Sequence, residues 1–395
     1  MVAGTKVAVL LVVGDRDSRI LWDMQASSPF RRSSAVNVHG ITGEILHPDG
    51  SGFRMARLTR RVSHAPLPLV LAVTILLFGA LAACGTGAYK TTVLFVSSRP
   101  SQLGVYSVNV DGGVLTALTG QEDYAYQPRW SPDYTKLLFM ARRGQNTALV
   151  VENRDGSQPR TVVETDGVIA NPRWAPDGAH IAYGLTANGA TSIHVIGVDG
   201  QHDFTVAFDA PPEDSPSWSP DSQWLVVASA ASDSPGIYQR NPTGVNYHRL
   251  SAGLDTQPLW SPKGDRIAFL SQRDGTPEVY LMLRDGSHPT RLTRNEAKEY
   301  DLAWSPDGMK LAFVSEEGGN PEVYVAKIDG SKPVRLTYNA FPDLTPAWSP
   351  DGLFIIFVSY RDSNADLFVM DADGNHQRNL TSSPFADYMP AWSAK

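Results

Sequence analysis

Acidic residues recur at a fixed distance from a repeated tryptophan. They stand five residues before it in five successive repeats: Glu213, Asp255, Glu299, Asp343 and Asp387. In the two preceding repeats, Ala125 and Ile169 take this position. Carboxylates around the mouth of a channel would attract cations, polyamines or a basic peptide, because a low-dielectric funnel focuses their field. The spacing therefore predicts a binding site at such a mouth.

The same carboxylates have a structural alternative. An acid in the loop before a strand can accept backbone N–H groups and hold the connection in place. Arginines stand four residues past an aromatic residue in four repeats, where we expect them on the rim: Arg99, Arg143, Arg273 and Arg361. Three of them share a repeat with an acid, in the pairs Arg99–Asp387, Arg273–Asp255 and Arg361–Asp343. Glu213 and Glu299 have no such arginine, so they are the stronger candidates for binding.

Catalytic signatures are missing from the sequence. It contains no G-x-S-x-G elbow, H-E-x-x-H motif, P-loop or dinucleotide fingerprint. Four histidines lie near the start of the fourth strand in separate repeats: His202, His248, His288 and His376. Metal ligands must converge, so we expect no metal and no cofactor. The sequence predicts a protein that is not an enzyme; the alternative is an extracytoplasmic hydrolase or lyase with an unrecognised channel site.

The tryptophans show which elements must position these side chains. Seven of the nine are separated by 42 or 44 residues: Trp130, Trp174, Trp218, Trp260, Trp304, Trp348 and Trp392. A period of 40–45 residues rich in short strands is typical of a β-propeller with four strands, A to D, per blade. In the repeat Leu302 to Thr337 these strands are LAWS, KLAFVS, EVYVAKI and VRLT. The chain is therefore expected to be all-β.

The chain ends predict how the propeller closes. Val93 to Thr119 contain strands B, C and D without a preceding A, whereas the C-terminal PAWSAK is a strand A alone. Joining these fragments completes a seventh blade and leaves no exposed edge on the ring. We expect a seven-bladed propeller over residues 91–395, with its last blade built from both ends of the chain.

The repeat also resembles a known family. WSPDG followed by IAF, IYV, Asp-Gly and Leu-Thr is similar to the WD40-like repeat of TolB-type propellers. The resemblance covers about residues 91–395 and implies the fold more strongly than a function. TolB proteins carry a small α/β domain before a six-bladed propeller, and related peptidases append an α/β-hydrolase domain. Neither extra domain is expected here, so neither a TolB partner nor peptidase activity is implied.

Residues 55–84 predict export and lipid attachment. Arg57, Arg60 and Arg61 precede an apolar stretch from Leu69 to Ala82, as in a signal peptide. The segment LAAC ending at Cys84 resembles a lipobox, which implies cleavage before Cys84 and a diacylglyceryl group on its sulfur. The alternative is an uncleaved membrane anchor with an incidental cysteine. The expected divisions are 1–54, a mis-assigned start or poorly ordered segment; 55–83, the signal peptide; and 84–90, a lipidated tether.

Charge and cysteine usage limit the partners. The net charge is −7, and Cys84 is the single cysteine, so an internal disulfide is excluded. An acidic surface repels phosphate backbones, so nucleic acid is not an expected partner. We expect a monomer in the bacterial cell envelope, outside the cytoplasm, held on the membrane by its lipid. Its expected role is to bind an envelope protein, a peptide or a small ligand; the third interpretation is a purely structural envelope protein.

Overall fold

The chain folds as a seven-bladed β-propeller. The computed structural model describes residues 92–99, 103–113, 115–119, 124–208 and 215–393. Within these ranges there are 28 β-strands and no helix, and the strands form seven antiparallel sheets of four. The predicted fold class and blade number are confirmed. The export signal, Cys84 and Glu213 lie outside the described residues.

Each sheet is one blade, with its strands named A to D from the innermost outward. In this order, blade 1 consists of β28 (Asp387–Trp392), β1 (Thr92–Ser97), β2 (Gly104–Asn109) and β3 (Thr116–Ala117), and blade 2 of β4 (Tyr124–Trp130), β5 (Lys136–Arg143), β6 (Asn146–Asn153) and β7 (Arg160–Thr165). Blade 3 consists of β8 (Val168–Trp174), β9 (His180–Ala187), β10 (Ala190–Gly197) and β11 (Phe204–Phe208), and blade 4 of β12 (Ser217–Trp218), β13 (Leu225–Ser229), β14 (Gly236–Arg240) and β15 (Tyr247–Arg249). Blade 5 consists of β16 (Asp255–Trp260), β17 (Arg266–Ser271), β18 (Glu278–Leu283) and β19 (Thr290–Arg291). Blade 6 consists of β20 (Glu299–Trp304), β21 (Lys310–Ser315), β22 (Glu322–Lys327) and β23 (Val334–Arg335). Blade 7 consists of β24 (Asp343–Trp348), β25 (Phe354–Ser359), β26 (Asp366–Asp371) and β27 (Arg378–Asn379).

Blade 1 is closed by both ends of the described chain, as the sequence predicts. β28 pairs with β1 so that Trp392 faces Val93 and Asp387 faces Ser97. Beyond the last pair, the Ser393 N–H donates to the Thr92 carbonyl over 2.8 Å. This pairing covers the edge that β1 would otherwise expose to other chains.

The blades are held together by a hydrophobic core that lies between neighbouring sheets. Strands B and C are continuous apolar runs, such as KLAFVS in β21, because both of their faces are covered by adjacent blades. Phe313 in this strand is 1% exposed and packs with Trp304 and Leu270, the latter from blade 5. The A strands contact one another around the ring, which places them at its centre.

Four of the repeated tryptophans donate a hydrogen bond to the preceding blade. The indole N–H of Trp304 donates to the Leu259 carbonyl over 3.1 Å, and that of Trp392 to the Ala347 carbonyl over 2.9 Å. In both pairs the acceptor is the residue just before the tryptophan of the preceding blade. The indole therefore adds a directed bond to its burial in the wedge between sheets.

A bulge interrupts strand A three residues before the tryptophan. The residue there has a positive φ of 50° to 56° in six blades: Gln127, Asn171, Gln257, Asp301, Thr345 and Met389. A proline follows in five of the six. Because proline has no N–H, breaking the ladder there leaves no amide without a partner. The bulge changes the direction of the channel-lining side chains in a way that the sequence period did not predict.

Candidate functional site

The predicted carboxylates lie at the start of the A strands, at the end of the channel where the D–A loops enter. Asp255, Glu299, Asp343 and Asp387 each begin an A strand and face the serine that ends strand B. Their exposed fractions are between 0% and 2%. Glu213, the fifth member of the set, is outside the described residues. The four described acids are therefore beneath the surface of this mouth.

Three of these acids form the ion pairs expected from the repeat. Nη2 of Arg273 lies 2.8 Å from Oδ2 of Asp255, and Nη2 of Arg361 lies 2.8 Å from Oδ2 of Asp343. In blade 1, Arg99 Nη1 lies 3.1 Å from Asp387 Oδ1. These distances are those of charge-assisted hydrogen bonds.

The same arginines also cover aromatic rings. Cζ of Arg361 lies 4.5 Å from the ring centre of Phe368, and Cζ of Arg273 lies 4.8 Å from that of Tyr280. The rings hold the guanidinium groups against the sheet and add a cation–π attraction. Arg143 differs because Ala125 replaces the acid in its blade; it pairs with Glu164 at 3.4 Å, with both side chains well exposed.

A second group of buried acids was missed by the sequence analysis. Glu278, Glu322 and Asp366 begin the C strands and are at most 1% exposed. Arg291 binds Glu278 over 2.7 Å, and Arg335 binds Glu322 over 2.8 Å. The repeated Pro-Glu-Val-Tyr of blades 5 and 6 is the signal that could have revealed them.

Among the four described acids that begin A strands, Glu299 is the one that has no arginine partner. Its carboxylate accepts from the Asn295 side chain at 2.9 Å and from the Val279 N–H at 3.2 Å. Burial and, to a smaller extent, the nearby Glu278 carboxylate raise the pKa of Glu299 to about 7, against the lowering effect of these hydrogen bonds. Burial also raises the pKa values of Asp343 and Asp387, even though each has an arginine partner. These contacts agree with the structural alternative for the acids, and ligand binding by them stays a prediction.

Part of the surface at this end of the channel is apolar. Tyr124, Val168 and Leu254 each stand one residue before the fifth-position site of their blade, with side chains 57% to 62% exposed. Phe341 and Tyr360 lie at the same end in blade 7 and are 47% and 40% exposed. The Tyr360 N–H donates to the Pro342 carbonyl, which joins these two loops. We name these five residues the apolar mouth.

Comparison with known families decides the identity of the fold. The family model described as the TolB beta propeller domain matches residues 82–257 and 251–395, which is most of the chain. The chain belongs to the TolB β-propeller family. The family resemblance inferred from the WSPDG repeats is confirmed.

Solved structures of TolB-like propellers and other proteins share this architecture. TolB from Acinetobacter baumannii is 22% identical with a TM-score of 0.53, and the match covers 82% of this chain and 71% of that one. The β-propeller domain of the Trilobed protease from Pyrococcus furiosus, described as having an open velcro topology, has a TM-score of 0.59 at 14% identity, covering 75% and 96%. Oligogalacturonate lyase from Vibrio parahaemolyticus has a TM-score of 0.52 at 15% identity, covering 74% and 85%. At these identities the similarities show the fold alone.

The histidines of this TolB-family propeller are dispersed. His202, His248, His288 and His376 are all exposed and belong to four different blades. The described residues contain no group of three or more His, Cys, Asp or Glu side chains placed to hold a metal ion. A membrane-spanning helix is likewise not found among these residues.

His194 belongs to a hydrogen-bonded group in blade 3 that also contains Ser192 and Asp203, and we name this group the relay. His194 Nδ1 lies 3.1 Å from Asp203 Oδ1, and His194 Nε2 lies 3.0 Å from Ser192 Oγ. The second Asp203 oxygen accepts from the Tyr183 hydroxyl at 2.8 Å. Burial opposes ionisation of Asp203, but the bonds from His194 and Tyr183 outweigh it and lower the pKa of Asp203. The sequence analysis did not predict this relay, because Asp203 follows the His194 strand across a turn.

Proposed function

We propose that this TolB-family chain is a non-catalytic binding module of the bacterial cell envelope, held on the outer side of a membrane by a lipid on Cys84. It engages an envelope protein or peptide at the apolar mouth. The observation that carries this proposal is the exposure of Tyr124, Leu254 and Phe341 around one end of the channel. Exposed aromatic and aliphatic groups clustered around one opening are typical of protein contact surfaces.

The sequence predicts a mouth whose carboxylates attract cations, whereas the proposed contact is apolar. Asp255, Asp343 and Asp387 are neutralised by arginines below the surface, so their charge contributes little to the attraction of a cationic ligand. The partner would instead contribute apolar side chains that become buried against the mouth. The buried acids would keep the loops that carry the apolar residues in fixed positions.

The docking test compares two pairs of surface substitutions in intact cells. Leu254→Asp with Phe341→Asp places charges on the apolar mouth. Val245→Asp with Leu353→Asp is the control, at more exposed apolar positions in turns at the other end of the blades. We expect chemical crosslinks between the chain and its partner to disappear in the first double variant and to persist in the second. Equal crosslinking by both variants would exclude the apolar mouth as the contact surface. Charge reversal of Glu299 is unsuitable, because an unpaired lysine buried there would unfold the blade.

The lipid anchor is tested separately. Two or three acyl chains hold a protein on a membrane far longer than one, so loss of the attachment should be visible by fractionation. We expect the wild-type chain to incorporate labelled fatty acid and Cys84→Ser to abolish the label. A wild-type chain that was membrane-bound without label would indicate an uncleaved anchor.

The relay of blade 3 favours a second candidate function, hydrolysis. Ser192, His194 and Asp203 follow the order of a nucleophile, a base and an orienting acid. However, Tyr183 stacks on His194 with ring centres 5.2 Å apart and occupies the other Asp203 oxygen, which suits a structural network. We expect a fluorophosphonate probe to leave Ser192 unlabelled. Labelling that is lost in both Ser192→Ala and His194→Ala would establish the hydrolase instead.

A further inference from the structure

A cavity opens at the other end of the channel from the apolar mouth. It has a volume of about 380 Å³ and is bordered by the final residues of the A strands of blades 1 to 3 and the turns that follow them. Two arginines, Arg129 and Arg173, are among the lining residues, together with Trp130, Trp174 and Trp392. We name this cavity the arginine pocket. Its volume is within the range of small-molecule sites.

The two arginines are specific to this side of the ring. They occupy the position just before the tryptophan in blades 2 and 3. The other five blades place small or apolar residues there: Ser217, Leu259, Ala303, Ala347 and Ala391. The repeat therefore does not require a cation at this position. Two adjacent blades have acquired one each, and both border the same cavity.

In the part of the chain that the structure describes, no acidic side chain pairs with the arginines of this pocket. Arg129 donates from Nη1 to the Pro128 carbonyl at 3.1 Å, and Arg173 from Nε to Ser215 Oγ at 3.0 Å. Among the described residues, neither forms an ion pair with a carboxylate, in contrast to Arg99, Arg273 and Arg361. Asp301, on strand A of blade 6, is engaged with the Thr345 N–H.

The electrostatics of the pair agree with this geometry. Burial lowers the pKa of Arg129 well below its usual value, and the neighbouring Arg173 guanidinium lowers it further. Burial also lowers the pKa of Arg173. Two partly buried like charges that have no acidic partner among the described residues cost free energy, which an anion bound between them would recover.

We propose that the arginine pocket binds a carboxylate carried on an aromatic or apolar group, such as the C-terminal end of a peptide. Guanidinium groups present a planar fork of donors that matches both oxygens of a carboxylate. The three indoles provide an apolar wall for the group that bears the anion. The site is independent of docking at the apolar mouth, because it lies at the opposite end of the A strands.

The test measures binding to the intact chain by calorimetry with N-acetylphenylalanine and its uncharged amide. We expect saturable binding of the acid and at least about tenfold weaker binding of the amide, the size expected for loss of a charge-assisted hydrogen bond. Arg129→Gln and Arg173→Gln should each weaken binding of the acid by a similar factor. Arg143→Gln, which removes an exposed and paired arginine of blade 2, should not change it.

A second readout separates binding from folding. Because Arg129 and Arg173 repel each other, either glutamine variant should have the same melting temperature as the wild type or a higher one when no ligand is present. The increase in melting temperature that the acid produces in the wild type should disappear in both variants. Equal binding of acid and amide, unchanged binding by the glutamine variants, or no binding at all would overturn the proposal. Tighter binding of phenyl phosphate than of the acid would overturn the assignment to a carboxylate.

Discussion

Arg361 donates from Nη2 to Oδ2 of Asp343 over 2.8 Å, and this contact joins the end of strand B to the start of strand A in blade 7. Asp343 is fully buried, whereas the Arg361 side chain keeps 21% of its surface exposed. The arginine is further held over the Phe368 ring. The pair therefore stabilises the structure beneath the apolar mouth.

The Arg361–Asp343 pair should behave as a buried ion pair. We expect Arg361→Ala to lower the free energy of unfolding by about 3 kcal/mol, because it leaves a buried carboxylate without its partner. Adding Asp343→Asn should restore part of the loss, since no buried charge then remains. Urea denaturation measures both effects. Arg143→Ala, at an exposed pair, is the control and should cost less than about 1 kcal/mol. Equal losses for the two arginines would contradict the structural role.

Glu299 should make stability depend on pH near neutrality. Its pKa is raised to about 7 in the folded chain, so between about 4.5 and 7 the folded state holds a proton that the unfolded state has lost. Its contribution to stability therefore falls as the pH rises through this window. We expect Glu299→Gln to be more stabilising, relative to wild type, at pH 8 than at pH 5, by roughly 2–3 kcal/mol.

The control for this titration is Glu296→Gln, three residues earlier in the same loop. Glu296 is exposed, so this variant controls for the removal of a carboxylate from the surface of the loop. Thermal or urea unfolding of wild type and both variants at pH 5 and pH 8 gives the comparison. A difference between Glu299→Gln and wild type that did not change with pH would show that the carboxyl titrates normally.

The tryptophan bonds between blades should contribute measurably to stability. Trp304 donates to the Leu259 carbonyl, whereas the equally buried Trp260 indole N–H has no hydrogen-bond partner in the described part of the chain. Both substitutions to phenylalanine remove the same volume. We expect Trp304→Phe to cost about 1 kcal/mol more than Trp260→Phe, because only the former breaks a hydrogen bond. Equal costs in denaturant titrations would mean that burial alone accounts for the tryptophan period.

Closure of the ring should be required for a monomeric propeller. Ending the chain at Ala386 removes β28 and exposes the edge of β1. We expect the shortened chain to melt at a lower temperature and to self-associate, because an open strand edge pairs with other chains. A synthetic peptide of residues 386–395 should reverse both changes, as judged by calorimetry and size-exclusion chromatography. A shortened chain that stayed monomeric and equally stable would show that β28 is dispensable.

The sequence by itself determined the number of blades, their strand order and the closure at blade 1. These features follow from the tryptophan period and the incomplete repeats at the ends, since every strand must find a partner within a closed ring. It also predicted the pairs Arg99–Asp387, Arg273–Asp255 and Arg361–Asp343, because equivalent positions of one repeat lie side by side. The family resemblance came from the same repeated residues.

Only the tertiary structure decided the depth of these residues and their neighbours from other blades. A period places Asp343 at the start of strand A, but its burial depends on the adjacent blade and on the loop that carries Phe341. The arginine pocket has the same origin, because Arg129 and Arg173 are 44 residues apart and meet only where blades 2 and 3 converge on the channel. In the relay, Asp203 likewise lies beside Ser192 and His194 only because the chain turns after β10. The burial of a side chain and the pairing of its charge depend on contacts between repeats, and the sequence of a single repeat does not contain these contacts.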